Sequence, residues 1–276
     1  MSYYCIPPKA VRTCHSLQRR PVLLRGSIGV NNNNMLSAYA PRILKADIIA
    51  SAPVGAKEPS ALFPMKNEWC SKVDAVEHYY SGFPTHPSDY GHDIATIVFA
   101  AREALKVAVE EFTKSGGVKP ALMFDCDDTV WCTYYEAKQS GWCYNPKIWD
   151  EYKKELNFPC IDDVVNLIKY ATHELGVTCI VITGRPEDEL DNTVAGLAKC
   201  GLVRGVDYYE QLFLRHGSNT MTGTGESAAA YKTRVRKQIE DTLGFTFLMS
   251  IGDQWSDSGN YGGIAVKLPN PMYFLA

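Results

Sequence analysis

Apolar residues acquire a period near Asp89 and keep one, with a single interruption, to the end of the chain. Ile94, Ile97, Val98, Ala101, Leu105, Ala108, Val109 and Phe112 recur at three- and four-residue spacing, which predicts a helix to about residue 114. Gly116 and Gly117 stop it, because glycine accepts backbone angles that other residues resist. Pro120 to Phe124 is apolar throughout and predicts a strand running into Asp125. Asp162 can cap a second helix whose stripe is Val164, Leu167, Ile168, Ala171 and Leu175, with Gly176 at its end. Val177 to Ile182 predicts another strand, and Pro186 opens a helix carrying Leu190, Val194 and Leu197 as far as Gly201. Leu212 to Leu214 is a short strand. A helix capped near Ser227 then presents Tyr231, Val235, Ile239 and Leu243 before Gly244. Phe245 to Ile251 and Ile264 to Lys267 are the closing strands.

Strands that are apolar on both faces, alternating with amphipathic helices, describe a parallel sheet covered on both sides. The order β-α-β-α-(β)-α-β-β predicts an open three-layer α/β domain within residues 65–276. Residues 131–160 break that rhythm with Trp131, Tyr134, Tyr135, Trp142, Tyr144, Trp149 and Tyr152. Directly after the first strand, this aromatic-rich insert predicts either a small cap over the carboxyl edge of the sheet or a peripheral subcore. Residues 1–64 carry Pro7-Pro8, the Asn31–Asn34 run, Pro41, Pro53, Pro59 and Pro64 without any period, and predict an irregular extension outside the domain.

Composition narrows the classes. A 276-residue chain that is 46% apolar sustains a core and excludes a mainly disordered, collagenous or coiled-coil protein. A net charge of -3 gives no argument for a nucleic-acid surface, and no stretch approaches the ~18 apolar residues of a membrane span. The charge is uneven: residues 1–46 hold Lys9, Arg12, Arg19, Arg20, Arg25, Arg42 and Lys45 with no acid before Asp47, so they are +7 and the remainder is -10. Such a lead fits a mitochondrial or other organellar targeting segment as well as a basic tail that contacts a protein partner. The long apolar run of a secretory signal is missing, and the location stays open. The nine cysteines form no Cys-x-x-Cys, which speaks against a zinc ribbon or thioredoxin-like centre. Cys126 and Cys179 read as buried thiols, and a disulfide among Cys132, Cys143 and Cys160 is left open.

Chemistry gathers where three strands end. The strings are Phe124-Asp125-Cys126-Asp127-Asp128-Thr129, Ile182-Thr183-Gly184-Arg185 and Ile251-Gly252-Asp253-Gln254-Trp255-Ser256-Asp257. Ligands of open parallel sheets bind outside the carboxyl ends of strands, so these groups are expected to converge. Asp125 and Asp127 share a side if the strand extends that far, and Asp253 and Asp257 complete a carboxylate cluster. Like charges so close raise one another's pKa unless a hard cation joins them, and all-oxygen ligands favour Mg²⁺. One carboxylate can then attack phosphorus while another protonates the leaving oxygen and later activates water. Thr183 and Lys232 can hold the phosphate oxygens.

These strings resemble the haloacid-dehalogenase superfamily. More closely, the chain from about Trp69-Cys70 onward resembles the plant acid phosphatase and vegetative storage protein family, grouped with class B acid phosphatases. Phe124–Thr129, Thr183–Glu187, Leu214-Arg215, Tyr231-Lys232-Thr233, Gly252–Asp257 and the closing Lys267–Tyr273 carry the resemblance. It implies a Rossmann-like sheet of the haloacid-dehalogenase type with a small cap. It implies Asp125 as nucleophile, forming an aspartyl-phosphate, and Asp127 as general acid and base. Thr183 and Lys232 are expected to bind the phosphoryl group, with Asp128, Gly184 and Arg185 beside them. Asp125, Asp253 and the backbone carbonyl of Asp127 are expected to coordinate Mg²⁺, with Asp257 as ligand or anchor. The expected activity is Mg²⁺-dependent hydrolysis of a small phosphorylated substrate. A storage protein or accessory subunit without activity is the rival, since some storage members lack the nucleophile. Asp128-Thr129-Val130-Trp131 stands where the family usually has Glu-Thr-Leu-Leu, so Trp131 is expected to reshape the adjoining loop.

Overall fold

The computed structural model describes residues 73–142, 144–216, 226–258 and 263–274. The expectations for the 1–64 extension and for Cys143 lie outside the described residues. Helix α1 (Val73–Tyr80) leads to α2 (Asp89–Lys114), where the Oγ of Ser88 accepts the Gly91 N–H at 3.0 Å and caps the first turn. Ile94, Val98, Ala101 and Leu105 form its buried stripe. Strand β1 (Pro120–Phe124) follows, then the insert with two short helices, α3 (Tyr134–Gln139) and α4 (Pro146–Glu155). Next come α5 (Asp162–His173), β2 (Thr178–Pro186), one 3₁₀ turn (Glu187–Glu189) and α6 (Leu190–Lys199). Strand β3 (Phe213–Arg215), α7 (Ala228–Leu243), β4 (Thr246–Gly252), the single turn α8 (Trp255–Ser258) and β5 (Ile264–Lys267) complete the described order.

All strand pairs are parallel, in the order β3-β2-β1-β4-β5. The chain builds outward from β1 on one side and then crosses to lay β4 on the other. That reversal opens a crevice between the carboxyl ends of β1 and β4. Alternation along β1 divides the core into two layers. Leu122 and Phe124 pack with α2, α5 and much of the insert, whereas Ala121 and Met123 pack with Tyr231, Val235 and Ile239 of α7. This is the expected three-layer α/β fold. No described helix is long and apolar enough to cross a membrane.

Three local readings are corrected. The second strand does not stop at Ile182: it continues to Pro186, because Ile182 and Pro186 both pair with β3 and Pro186 keeps an extended ψ of 158°. A helix therefore starts only at Leu190, after the 3₁₀ turn. Asp162 is not a cap; Ile161 occupies that position, and Asp162 and Asp163 sit in the first turn, where negative charge meets the positive end of the helix. Among the described residues a disulfide joins Cys160 to Cys200, while Cys132 is a free, buried thiol. Cys160 lies just before α5 and Cys200 just after α6, a proximity that only the packing of those helices creates.

The insert is packed rather than loose. Tyr134 stacks on Tyr80 with ring centroids 4.5 Å apart, and Trp149 and Tyr152 lie against Phe158 at 5.4 and 5.6 Å. Its return strand is tied by the Cys132 N–H to Pro159 O and the Ile161 N–H to Val130 O, both 2.8 Å. The Cys160–Cys200 bond fastens that return to α6 across a sequence separation of 40. In the chain-entropy picture a loop of that size is worth up to about 4 kcal/mol. Cys200→Ser is expected to lower the unfolding free energy by about 2–4 kcal/mol, read by denaturant titration. An unchanged midpoint in reductant for the unsubstituted chain would show that the bond does not restrain the unfolded state.

Candidate active site

Asp125 follows β1 directly, and its backbone N–H still donates to Ile251 O of β4 at 3.2 Å, which sets it opposite the start of the Gly252-Asp253 turn. The chain then winds tightly, with the N–H groups of Thr129, Val130 and Trp131 all directed to Cys126 O. The extended alternation ends there, so Asp127 does not share the surroundings of Asp125. Carboxylate oxygens of Asp125, Asp253 and Asp257 lie within 4.8 Å of one another, all three residues buried. The crevice therefore holds a cluster able to coordinate a divalent metal ion.

Each carboxylate is held differently. Lys232, at the start of the second turn of α7, places Nζ 3.1 Å from Asp125 Oδ1 and also pairs with Asp257 Oδ1. The Asp125 oxygen makes this ion pair without the alignment of a hydrogen bond and is otherwise unpartnered. Asp257 Oδ2 accepts the Gln254 N–H at 2.8 Å, so both of its oxygens are engaged. Asp253 Oδ2 accepts Gln254 Nε2 at 2.7 Å and Asn270 Nδ2 at 2.6 Å. Burial pushes Asp125 up to about 7 against the pull of Lys232, and burial with the Asp257 charge raises Asp253. Burial alone would depress Lys232, but Asp125 and Asp257 outweigh it and keep the ammonium charged.

Asp127 belongs to a second group. Arg185, at the end of β2, spans its carboxylate with Nε to Oδ2 at 2.8 Å and Nη2 to Oδ1 at 2.6 Å. The Trp131 indole N–H reaches Oδ1 at 2.8 Å. Burial would raise Asp127, but the Arg185 charge and these hydrogen bonds bring it below its ordinary value. Thr183 is buried, and its hydroxyl accepts the Arg185 N–H at 3.3 Å, which leaves its proton to donate. A Cβ at Gly184 would meet nothing within 4 Å, so this position faces open space. Asp128 goes elsewhere: its side chain is fully buried, accepts the Thr133 N–H at 2.8 Å and hydroxyl at 2.6 Å, and receives the Tyr273 hydroxyl at 2.7 Å. Both of its oxygens are thus engaged, which ties the loop to the carboxyl-terminal segment.

Several partners escape a reading of the motifs alone. Arg236, one turn beyond Lys232, is fully buried and donates to Ser250 Oγ, Asp257 O and Ser258 O at 3.1, 2.9 and 2.8 Å. The four-residue step from Lys232 beside the stripe of Tyr231, Val235 and Ile239 was the available sequence signal. Asn270 and Tyr273, in the closing Lys267–Tyr273 string, hold Asp253 and Asp128. Glu136 of α3 is buried, and burial together with Asp128 pushes its carboxyl up to about 7.

Comparison with known proteins agrees with this geometry. The family described as HAD superfamily, subfamily IIIB (Acid phosphatase), matches residues 45–276, beginning ahead of Trp69. No curated protein sequence matches the chain. Among solved structures, a class C acid phosphatase from Bacillus anthracis with tungstate bound is 19% identical, with a TM-score of 0.54. The match covers 72% of this chain and 84% of that one. A second structure of the class C acid phosphatase from Bacillus anthracis gives 18% identity and a TM-score of 0.53 over the same shares. At these identities the likeness is one of fold. The family match over most of the chain, on a sheet whose crevice gathers the acidic strings, shows that the protein belongs to the HAD superfamily, subfamily IIIB, the acid phosphatases, and is a hydrolase of the phosphatase type.

Proposed function

We propose that this chain hydrolyses small phosphomonoesters with Mg²⁺, through an aspartyl-phosphate on Asp125. The observation that carries the reading is the buried Asp125 Oδ1, which has no hydrogen-bond partner, faces Lys232, and belongs to a carboxylate clustered with Asp253 and Asp257. An unpartnered carboxylate oxygen beside two further carboxylates suits a divalent cation, and an all-oxygen donor set suits Mg²⁺. Asp125, Asp253 and the carbonyl of Asp127 are the residues to hold it. Asp257, with both oxygens engaged, anchors Lys232 and the Gln254 turn. The ion supplies charge neutralisation between carboxylates and phosphate.

The protein groups account for the remaining steps. An oxygen of Asp125 bonds to phosphorus as the bond to the alcohol oxygen breaks, and Asp127, ionised in the free site and protonated from solvent once the phosphate dianion sits beside it, gives that oxygen its proton. Water then attacks phosphorus, yields its proton to Asp127, and releases inorganic phosphate as the Asp125–phosphorus bond breaks. Lys232 and the Thr183 hydroxyl bind the phosphoryl oxygens, with Gly184 and Arg185 bordering them. Tungstate, bound in one structural neighbour, is an oxyanion and is expected to inhibit competitively.

A chromogenic phosphate ester, assayed with Mg²⁺ and with chelator, tests the reading. Asp125→Asn keeps the size and removes the attacking charge, so turnover is expected to fall to background with the fold intact. Asp127→Ala is expected to cost about 10²–10⁴-fold in kcat, through loss of the base for water attack, and Lys232→Ala about 10²–10³-fold. Equal rates for the unsubstituted chain and Asp125→Asn would favour a storage or accessory role on the same fold. Metal and pH are linked as well. Asp125, raised from 3.8 to about 7, keeps a proton that the unfolded chain releases, so metal-free stability falls as pH rises through that window. The rise in melting temperature on adding Mg²⁺ is expected to be larger at pH 7.5 than at pH 5, because ligation requires the charged carboxylate. A rise that is the same at both values would remove Asp125 from the ligand set.

A further inference from the structure

The insert is tied directly to Asp127. Three N–H donors hold Asp127, and they are unequally shared. Oδ1 receives Arg185 Nη2 at 2.6 Å and Trp131 Nε1 at 2.8 Å, while Oδ2 receives only Arg185 Nε at 2.8 Å among the described contacts. A carboxylate oxygen has two lone pairs in its plane, so two donors occupy Oδ1 and leave one direction open on Oδ2. The indole N–H is what makes the two oxygens different.

Trp131 is itself fixed from several sides. The residue is 2% exposed and forms an antiparallel bridge with Cys160, which the disulfide ties to Cys200. A Cβ on Gly196 of α6 would stand 3.2 Å from the ring, so glycine there lets the helix lie against the indole. Arg185 lies over the same ring at 4.9 Å and near Trp149 and Phe158 at 5.5 and 6.0 Å, and its Nη1 is 3.7 Å from Glu189 Oε2. Insert and α6 together thus determine how the Asp127 carboxylate is turned.

We infer that Trp131 is a positioning residue for Asp127: its indole N–H, together with the Arg185 fork, fixes which carboxylate oxygen is free to serve the leaving group. The inference rests on the phosphomonoesterase reading and adds to it a residue that touches neither phosphate nor metal. Its consequence depends on the leaving group. Departure of an alkoxide requires a well-placed acid, whereas 4-nitrophenolate departs with little help. Misdirecting the acid therefore penalises poor leaving groups selectively.

Trp131→Phe retains an aromatic ring over Arg185 and removes the N–H. We compare kcat/KM, which reports formation of the phosphoenzyme, for 4-nitrophenyl phosphate and glycerol 2-phosphate, with thermal melting and tungstate inhibition as checks on the fold. The expected result is a loss of at least about 10-fold with glycerol 2-phosphate and under about 3-fold with the nitrophenyl ester, a fraction of the whole acid-catalytic effect. Losses by one common factor, or none, overturn the inference, because a purely structural ring affects both esters alike. Should Trp131→Phe fail to fold, Trp131→Met fills the space with an adaptable side chain that also lacks the N–H and is expected to give the same selective pattern; a uniform loss there overturns the inference too. An unsubstituted chain that turns over neither ester overturns the phosphatase reading itself, which is a different outcome from an active enzyme with a uniform variant.

Discussion

Burying three carboxylates within 4.8 Å of one another is the constraint around which the molecule is arranged. At an effective dielectric of about 20, two unit charges at that separation repel by about 3.5 kcal/mol. Lys232 touches two of the three carboxylates and the buried Lys267 pulls on Asp253, so two ammonium groups face three negative charges. The balance has to come from protons or from a bound cation. The raised affinities of Asp125 and Asp253 for a proton are the metal-free form of that balance. Lys232 holds Asp125 and Asp257, while neutral donors fix Asp257 and Asp253.

Much of the surrounding structure serves to place those donors. Gly252 is required because a Cβ there would lie 2.2 Å from Asp257 Oδ2, and the Gln254 N–H reaches that same oxygen. Arg236 clamps Asp257 O and Ser258 O to α7, so Lys232 and the acid it pairs with move as one unit. Asn270 completes the hydrogen bonding of Asp253 from the carboxyl-terminal segment. A string that carries no nucleophile, acid or ligand thereby acquires a physical role, that of satisfying buried acids which β1 and β4 alone leave exposed to one another.

The insert has two kinds of surface. Tyr134, stacked on Tyr80, merges with the main core, whereas Trp131, Trp149 and Phe158 gather round Arg185. Aromatic faces and carboxylates attract a guanidinium by the same electrostatic rule, so Arg185 is held in a partly apolar site without losing its charge. The arginine of Thr183-Gly184-Arg185 acts through this contact on Asp127.

The sequence by itself determined the layers, the parallel sheet and the gathering of Asp125, Asp253 and Asp257. These follow from local period and from strand ends, and both are written in neighbouring residues. It did not determine Cys160–Cys200, the extension of β2 to Pro186 or the turning of Asp128 into the loop interior. Nor did it reveal that Arg236, Asn270, Tyr273 and the Trp131 N–H would be hydrogen-bonding partners. Each of these depends on a direction or a distance between elements far apart in the chain. Hydrophobic spacing records which face of an element is buried, but it holds no information about which polar group stands opposite. That pairing was decided only when β4 crossed to the far side of β1 and the insert closed against α6.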